Sequence, residues 1–543
     1  MSSDFASMHF LIIDDMEAAR STLRLTLSTF GVTHTNFAGN GMDAMRRLAN
    51  QKFDVILCDY VLGDGKDGQQ VLEEIRHRNL ISRSTVFIMI TAERGYQKVI
   101  NAVELAPDDY LIKPFNGETL RLRLDRAIEK KGHFKAVYEM IDSQDFASAI
   151  EECERNIQAK NRHVIDFIRL KAELLLLVGN PEEARKLYEM MLATRAVPWA
   201  KMGLGKALFQ QNQFAEAEEA FLSLTEENDA YVAAHDWLAK TYEAMGDTAK
   251  AQQAIMRAVD ISPNRVVRQK KLGEVASINQ DHDTAEKAFK SSIELGKYSV
   301  HKSSDDFIGL SRALLGKGDH DKALEALRNL GTDFPDDPCA ALQTTMTKSL
   351  IYKGMGNEAY AKTLLDEALQ QFNASKNELP GSAVVAMAET CLHFGDKQAA
   401  DGIVRELATA SHGDQALLNK AAAMYQSFGM GEEVQQVIKE GGKEAVRLNN
   451  QAVMLAREGR LEEAIALLRQ AADNKSASIT VVLNAAQVII LSIDQKGWNE
   501  SYGNTARHYL RRAREMDAAD PKYKKVAELY KGITVKFGVR YDL

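Results

Sequence analysis

Short apolar runs alternate with amphipathic stretches over roughly the first 131 residues. The runs are HFLIID (9–14), a weaker THTNFA (33–38), DVILCD (54–59), TVFIMIT (85–91) and DYLIK (109–113), and helical periodicity fills the intervals. Five such runs alternating with five helical stretches predict a doubly wound α/β domain, (βα)5, on a parallel sheet. From about residue 133 the alternation stops, and small residues recur in similar surroundings at Ala184, Ala217, Ala251, Ala285 and Ala323, in steps of 33, 34, 34 and 38. This period predicts antiparallel helix pairs stacked into an all-α solenoid: the small residue lets two helices approach, a large one four places later fills the space between pairs, and a Gly-Asp or Gly-Asn pair marks the turn. The expected organisation is an α/β domain over 1–131 and a helical superhelix over 132–543.

In a doubly wound sheet, ligands bind at the carboxyl ends of the strands. The polar residues that end the apolar runs, Asp14, Asp15, Asp59, Thr91 and Lys113, therefore converge on one site. A carboxylate at the mouth of a buried strand such as Val55–Cys58 is costly unless something compensates it, and three together repel one another. A divalent cation and a lysine remove that repulsion. Asp14, Asp15 and Asp59 offer hard oxygen donors suited to Mg²⁺, Asp59 is placed to act as a carboxylate nucleophile toward a phosphoryl group, and Lys113 and the Thr91 hydroxyl are placed to hold its oxygens.

The stretches LIIDD, VILCDY, MITA and YLIKPF are similar to the signature segments of response-regulator receiver domains of two-component signalling, over roughly residues 8–131. The resemblance implies Asp59 as phosphoacceptor, Asp15 and Asp59 as direct metal ligands, Asp14 as a supporting acid, and the backbone carbonyl of Val61 as a further ligand. It also implies Thr91 and Tyr110 as a switch pair, Lys113 as the phosphoryl contact, and a cis bond before Pro114. Ala106-Pro107 departs from the family's usual Gly-Ala pair, and LGDGKDG makes the loop after Asp59 unusually rich in glycine and acid. At Val61 an apolar side chain does not orient an attacking water, so a phosphoryl group that outlasts those of fast-signalling relatives is expected.

The helical half resembles tetratricopeptide repeats, best over 165–335, where HDWLAKTYEAMGDTAKAQQAIMRAVDISP carries nearly the whole pattern. Later units align on Ala361, Ala400, Val434, Ala464 and Ala506 in steps of 39, 34, 30 and 42, and with an early unit around Ala149 they make about eleven helix pairs closed by a capping helix, DPKYKKVAELYKGITVKF. Lys206, Lys240, Lys270 and Arg312 fall at similar places on successive first helices, where they line a groove for an acidic partner segment or form a solvated stripe. Trp199, Phe209, Phe214 and Phe221 are read as solenoid core. The Lys/Asn pattern of a carboxylate clamp is not reproduced there.

Composition narrows the function. A formal charge of −8 lacks the basic field of a DNA binder, and four scattered cysteines form no CxxC pair, reading as reduced, buried thiols. TVVLNAAQVIILSI carries Asn484 and Gln487, and the N-terminus has no basic region followed by an apolar core, so a cytoplasmic protein without a membrane span is expected. Ten Lys or Arg against four acids between Arg507 and Arg540 read as a charged cap or an RNA-binding surface. No catalytic constellation of an enzyme accompanies the phosphoacceptor. The expected function is a bacterial response regulator phosphorylated by a histidine kinase or phosphotransfer protein, whose repeats bind a client protein, with homodimerisation through the switch face as a further expectation. The alternatives are a constitutive scaffold in which the receiver only docks, and an RNA-binding regulator acting through the basic C-terminus.

Overall fold

The computed structural model describes residues 5–92, 107–411, 414–475, 477–518 and 520–540. Five strands, β1 (His9–Ile13), β2 (His34–Ala38), β3 (Val55–Asp59), β4 (Val86–Thr91) and β5 (Asp109–Ile112), form one sheet in the order β2-β1-β3-β4-β5, with every neighbouring pair parallel. Helices α1 (Glu17–Thr29), α2 (Gly41–Asn50) and α3 (Gly68–His77) cross between the strands. The expected helix between Thr91 and β5, and Ala106, lie outside the described residues.

The central strands read as unbroken apolar runs because both faces of the sheet are covered. Alternate residues go to opposite cores. Leu11, Ile13, Ile56, Cys58, Phe87 and Met89 pack with Val71, Leu72 and Ile75 of α3, while Phe10, Ile12, Val55, Leu57, Ile88 and Ile90 pack with Leu23 and Leu27 of α1 and with Leu120 and Leu124. Asn40, Asp67 and Asn116 cap the helices that follow them, Asp67 through a full capping box with Gln70.

The sheet's last helix, Gly117–Asp142, runs for 26 residues without a break at the expected 131/132 boundary. Its first half sends Leu120, Leu124 and Ala127 into the sheet's core, and its second half sends Phe134, Val137 and Ile141 against Ala149, Cys153 and Phe167 of the helices that follow. Helix pairs continue to Lys536. Ala184, Ala217, Ala251, Ala285, Ala323, Ala361, Ala400, Val434, Ala464 and Ala506 are all fully buried, as the close approach of paired helices requires. Gly246, at φ +81°, ends one helix in the left-handed conformation and Asp247 caps the next, so the Gly-Asp pair serves both ends of the turn. The short step of 30 between Val434 and Ala464 has a structural cause: Gly431–Arg457 is one continuous helix that closes one pair and opens the next.

The described chain divides into two compact units, Met1–Ala313 and Leu314–Leu543. In the second, the helix Ile479–Lys496 is long and apolar enough by composition to cross a membrane, but Val482, Leu483, Ala485, Ala486, Ile489 and Ile493 of that helix lie in the repeat core. Cys58, Cys153 and Cys391 are buried thiols, whereas Cys339 is half-buried and so departs from the expectation for all four.

Candidate functional site

Register brings the strand ends together. Ile13 pairs with Cys58, Asp59 with Ile90 and Thr91 with Ile112, so the residue after β1, the last residue of β3, the last of β4 and the residue after β5 sit side by side at one edge. Carboxylate oxygens of Asp14, Asp15 and Asp59 lie within 4.8 Å of one another. Lys113 Nζ donates to Asp59 Oδ2 at 2.6 Å and to Asp14 Oδ2 at 3.1 Å. Its own amide donates to the Thr91 carbonyl, which ties the turn after β5 to the end of β4. The Lys113–Pro114 bond is cis, as the resemblance implied.

The acidic turn is held from behind. Asp14 is buried; its Oδ1 accepts from Met16 N at 2.9 Å, and Arg20 Nη1 donates to the carbonyls of Asp14 and Asp15. Arg20 supports this turn and was not singled out by the pattern, since an arginine on the outer face of an amphipathic helix reads as solvated. Val61 N donates to Asp59 Oδ1 at 3.3 Å, while the Val61 side chain is exposed. Gly68 permits the loop's return: a Cβ there would stand 2.1 Å from the Asp59 carbonyl oxygen.

Burial pushes the Asp59 carboxyl above its ordinary range, with the charge of Asp14 adding to that, and the hydrogen bond and charge of Lys113 only partly offset them. Burial also works against the Lys113 ammonium, but Asp59 and Asp14 outweigh it and hold the lysine above its usual value. Three clustered carboxylates with one lysine across two of them leave negative charge uncompensated, and an all-oxygen donor set of this kind fits a small hard divalent cation. Thr91 is buried at the rim. Tyr110 is half-buried with its hydroxyl turned inward, and among the described residues that oxygen has no hydrogen-bond partner. Burial raises the Tyr110 phenol well above its usual range.

The lysine row of the repeats is not uniform. Lys240 Nζ lies 4.6 Å from the centroid of the Trp237 ring and 5.3 Å from that of Phe209, and Lys206 Nζ is 5.4 Å from that of Trp237. Lys270 instead donates to Ser303 Oγ at 3.1 Å and pairs with Asp305. Of the four aromatics expected in the core, only Phe221 is fully buried. Part of the basic C-terminal stretch is engaged inside the repeats: Arg512 donates to the carbonyls of Ala472, Asn474 and Lys475, Lys522 to Asn484 Oδ1, and Lys536 to Asp494.

Comparison with known proteins agrees with this geometry. The response regulator receiver domain family matches residues 10–125, and tetratricopeptide repeat families match 202–266 and 445–470. Chemotaxis protein CheY-3 of Vibrio cholerae serotype O1 is 31% identical over 124 residues, 23% of this chain and 94% of that protein. Transcriptional regulatory protein AfsQ1 of Streptomyces coelicolor is 30% identical over 166 residues, 31% of this chain and 69% of that protein. The solved structure of the BeF3-activated DrrB receiver domain overlaps 22% of this chain and 97% of that one at 24% identity, with a TM-score of 0.20. The chain belongs to the response-regulator receiver family through its N-terminal domain. Behind that domain it carries tetratricopeptide repeats.

Proposed function

We propose that this is a two-component response regulator in which Asp59 accepts a phosphoryl group and the repeats deliver the output by binding another protein. The observation that supports it most strongly is Lys113 bridging Asp59 and Asp14, with Asp15 beside them at the carboxyl edge of the sheet. A carboxylate oxygen of Asp59 attacks phosphorus on an N-phosphorylated histidine of a kinase or phosphotransfer protein, the new O–P bond replaces the N–P bond, and the imidazole leaves. Asp15 and Asp59, with Asp14 in support and the Val61 carbonyl as a further donor, would hold Mg²⁺, which would supply positive charge for the phosphoryl oxygens. Lys113 holds one of those oxygens and Thr91 swings its hydroxyl to another, with Tyr110 as the second member of the switch. The domain is a phosphoacceptor in this reading, and self-transfer and its own dephosphorylation are its only chemistry.

Output through contact, without DNA, is supported by the repeats themselves and by the Lys206, Lys240, Trp237 and Phe209 cluster, whose cations over ring faces suit an acidic client segment. The engagement of Arg512, Lys522 and Lys536 within the repeats favours a structural cap over an RNA surface. Such a regulator works in the cytoplasm.

The metal assignment has a direct test. Labelling of the full chain by a small phosphodonor is expected to require Mg²⁺, and Asp15→Ala is expected to lose most of it, because a site with so few protein ligands has none to spare. Labelling that proceeds equally in chelator, or unchanged in Asp15→Ala, would remove the metal from this reading.

A further inference from the structure

Helix α3 carries covered polar residues that a helix on the outer layer of a sheet does not ordinarily bury. Gln69, Glu73 and Glu74 are 5%, 8% and 4% exposed, beside the expected apolar stripe of Val71, Leu72 and Ile75. Some of the cover is remote in sequence. Gln70 Nε2 donates to the Leu295 carbonyl at 3.2 Å, and Lys66 Nζ donates to the Tyr298 carbonyl. Glu73 Oε1 lies 3.5 Å from His301 Nε2 and 3.6 Å from Arg265 Nη2, and the rings of His77 and His301 meet edge to face at 5.5 Å. Burial pushes the Glu73 carboxyl up, but the hydrogen bond from His301 and the charges of Arg265, His301 and His77 outweigh it and hold it below its usual range. The partner segment is the turn between the repeat helices His282–Gly296 and Ser304–Gly316, together with the residue that opens Val266–Ile278.

The near side of this contact is the loop that leaves Asp59. Gly63 and Gly65 are in the left-handed conformation, Gly63 lies against Asp15, Gly68 lies against the Asp59 carbonyl, and Lys66 stands between them, paired with Glu74 at 2.7 Å as well as with Tyr298. One short, glycine-rich loop therefore touches the acidic site at one end and the repeats at the other.

We propose that the loop Tyr60–Asp67 and helix α3 form a clasp that holds the repeat turn 295–303 on the receiver while Asp59 is free, and that phosphorylation opens it. This rests on the reading of Asp59 as phosphoacceptor. It is separate from the face made by β5 and the helix after it. Loading Asp59 adds negative charge at the near end of the loop and displaces the carboxylate oxygen that accepts from Val61 N, and both effects pull on the loop and on its one ammonium, Lys66, which then leaves Tyr298. Coupling of this kind is reciprocal: whatever breaks the clasp must favour the loaded state by the same factor.

The test uses the full chain and beryllofluoride with Mg²⁺ as the phosphoryl mimic. Glu73→Arg and Arg265→Glu, neither of which touches the acidic site, are each expected to tighten mimic binding by about fivefold or more, and the double exchange is expected to return it to the parental value. Hydrogen exchange over 295–303 is expected to quicken in each single variant and on mimic binding to the parent, and to recover in the double variant. His301→Ala, a milder change, is expected to act in the same direction, and protection across 268–292 reports that the variants remain folded. Equal mimic affinity in parent and single variants overturns the clasp alone. Failure of every version to bind the mimic overturns the phosphoacceptor reading, and the clasp with it.

Discussion

At the scale of single residues the chain places charge where burial makes it expensive, and only some of those places face the acidic site. Asp306 lies in the repeats, 1% exposed, with Oδ2 accepting from Ser292 Oγ at 2.9 Å and Oδ1 without a hydrogen bond among the described residues, 3.9 Å from Lys270 Nζ. Burial raises its carboxyl from 3.8 to about 6, against the pull of Lys270 and Ser292 and with Asp305 and Glu274 adding to the rise. An acid whose folded value is raised is most stabilising when protonated: that contribution is complete below the unfolded value and is lost as pH rises through the folded one. Asp306→Asn is therefore expected to be more stable than the parent at pH 8 by on the order of 1–3 kcal/mol, with the gap closing toward pH 4, as read by denaturant titration followed through Trp199 and Trp237 fluorescence. Parallel stability curves for the two proteins would contradict it. Asp59, Asp14, Asp15 and Lys113 were legible in sequence because each stands where an apolar run ends, and a charge at the mouth of a buried strand is costly without a partner. Glu73 was not: its partners Arg265 and His301 are remote in sequence, and no local pattern links them.

Elements explain why the site has its shape. The β3–α3 connection turns back so tightly that Gly68 packs on the peptide of Asp59, with space for no side chain. Gly68→Ala is expected to cost about 1–3 kcal/mol through overpacking and to displace the Asp59 peptide, seen as faster hydrogen exchange across 55–60 and weaker phosphoryl loading together. Unchanged exchange there would show that the loop relaxes freely. Strand positions were readable from the sequence within a residue or so, since β3 and β4 are apolar on both faces and end in Asp59 and Thr91. The helix Gly117–Asp142 runs through the boundary expected at 131/132, because Gly132 costs a helix only modestly and both halves have a core to pack on. The fused helix Gly431–Arg457 hid in the same way behind a step of 30 residues.

At the scale of the whole molecule, fold class was legible because two periodicities, one of strands and one of helix pairs, divide the sequence. The compact units were not: the first ends at Ala313, well inside the repeats, because α3 and its loop bond to residues near 265 and 295–301. Contacts of that range leave no periodic trace. Function at this scale reduces to whether the chain carries one phosphoryl group, and where. Intact-mass measurement of the full chain after treatment with Mg²⁺ and a small phosphodonor tests this most directly. The expected result is a single phosphoryl adduct on the parent and none on Asp59→Asn; an adduct of equal yield on Asp59→Asn, or none on a folded parent, would contradict the account.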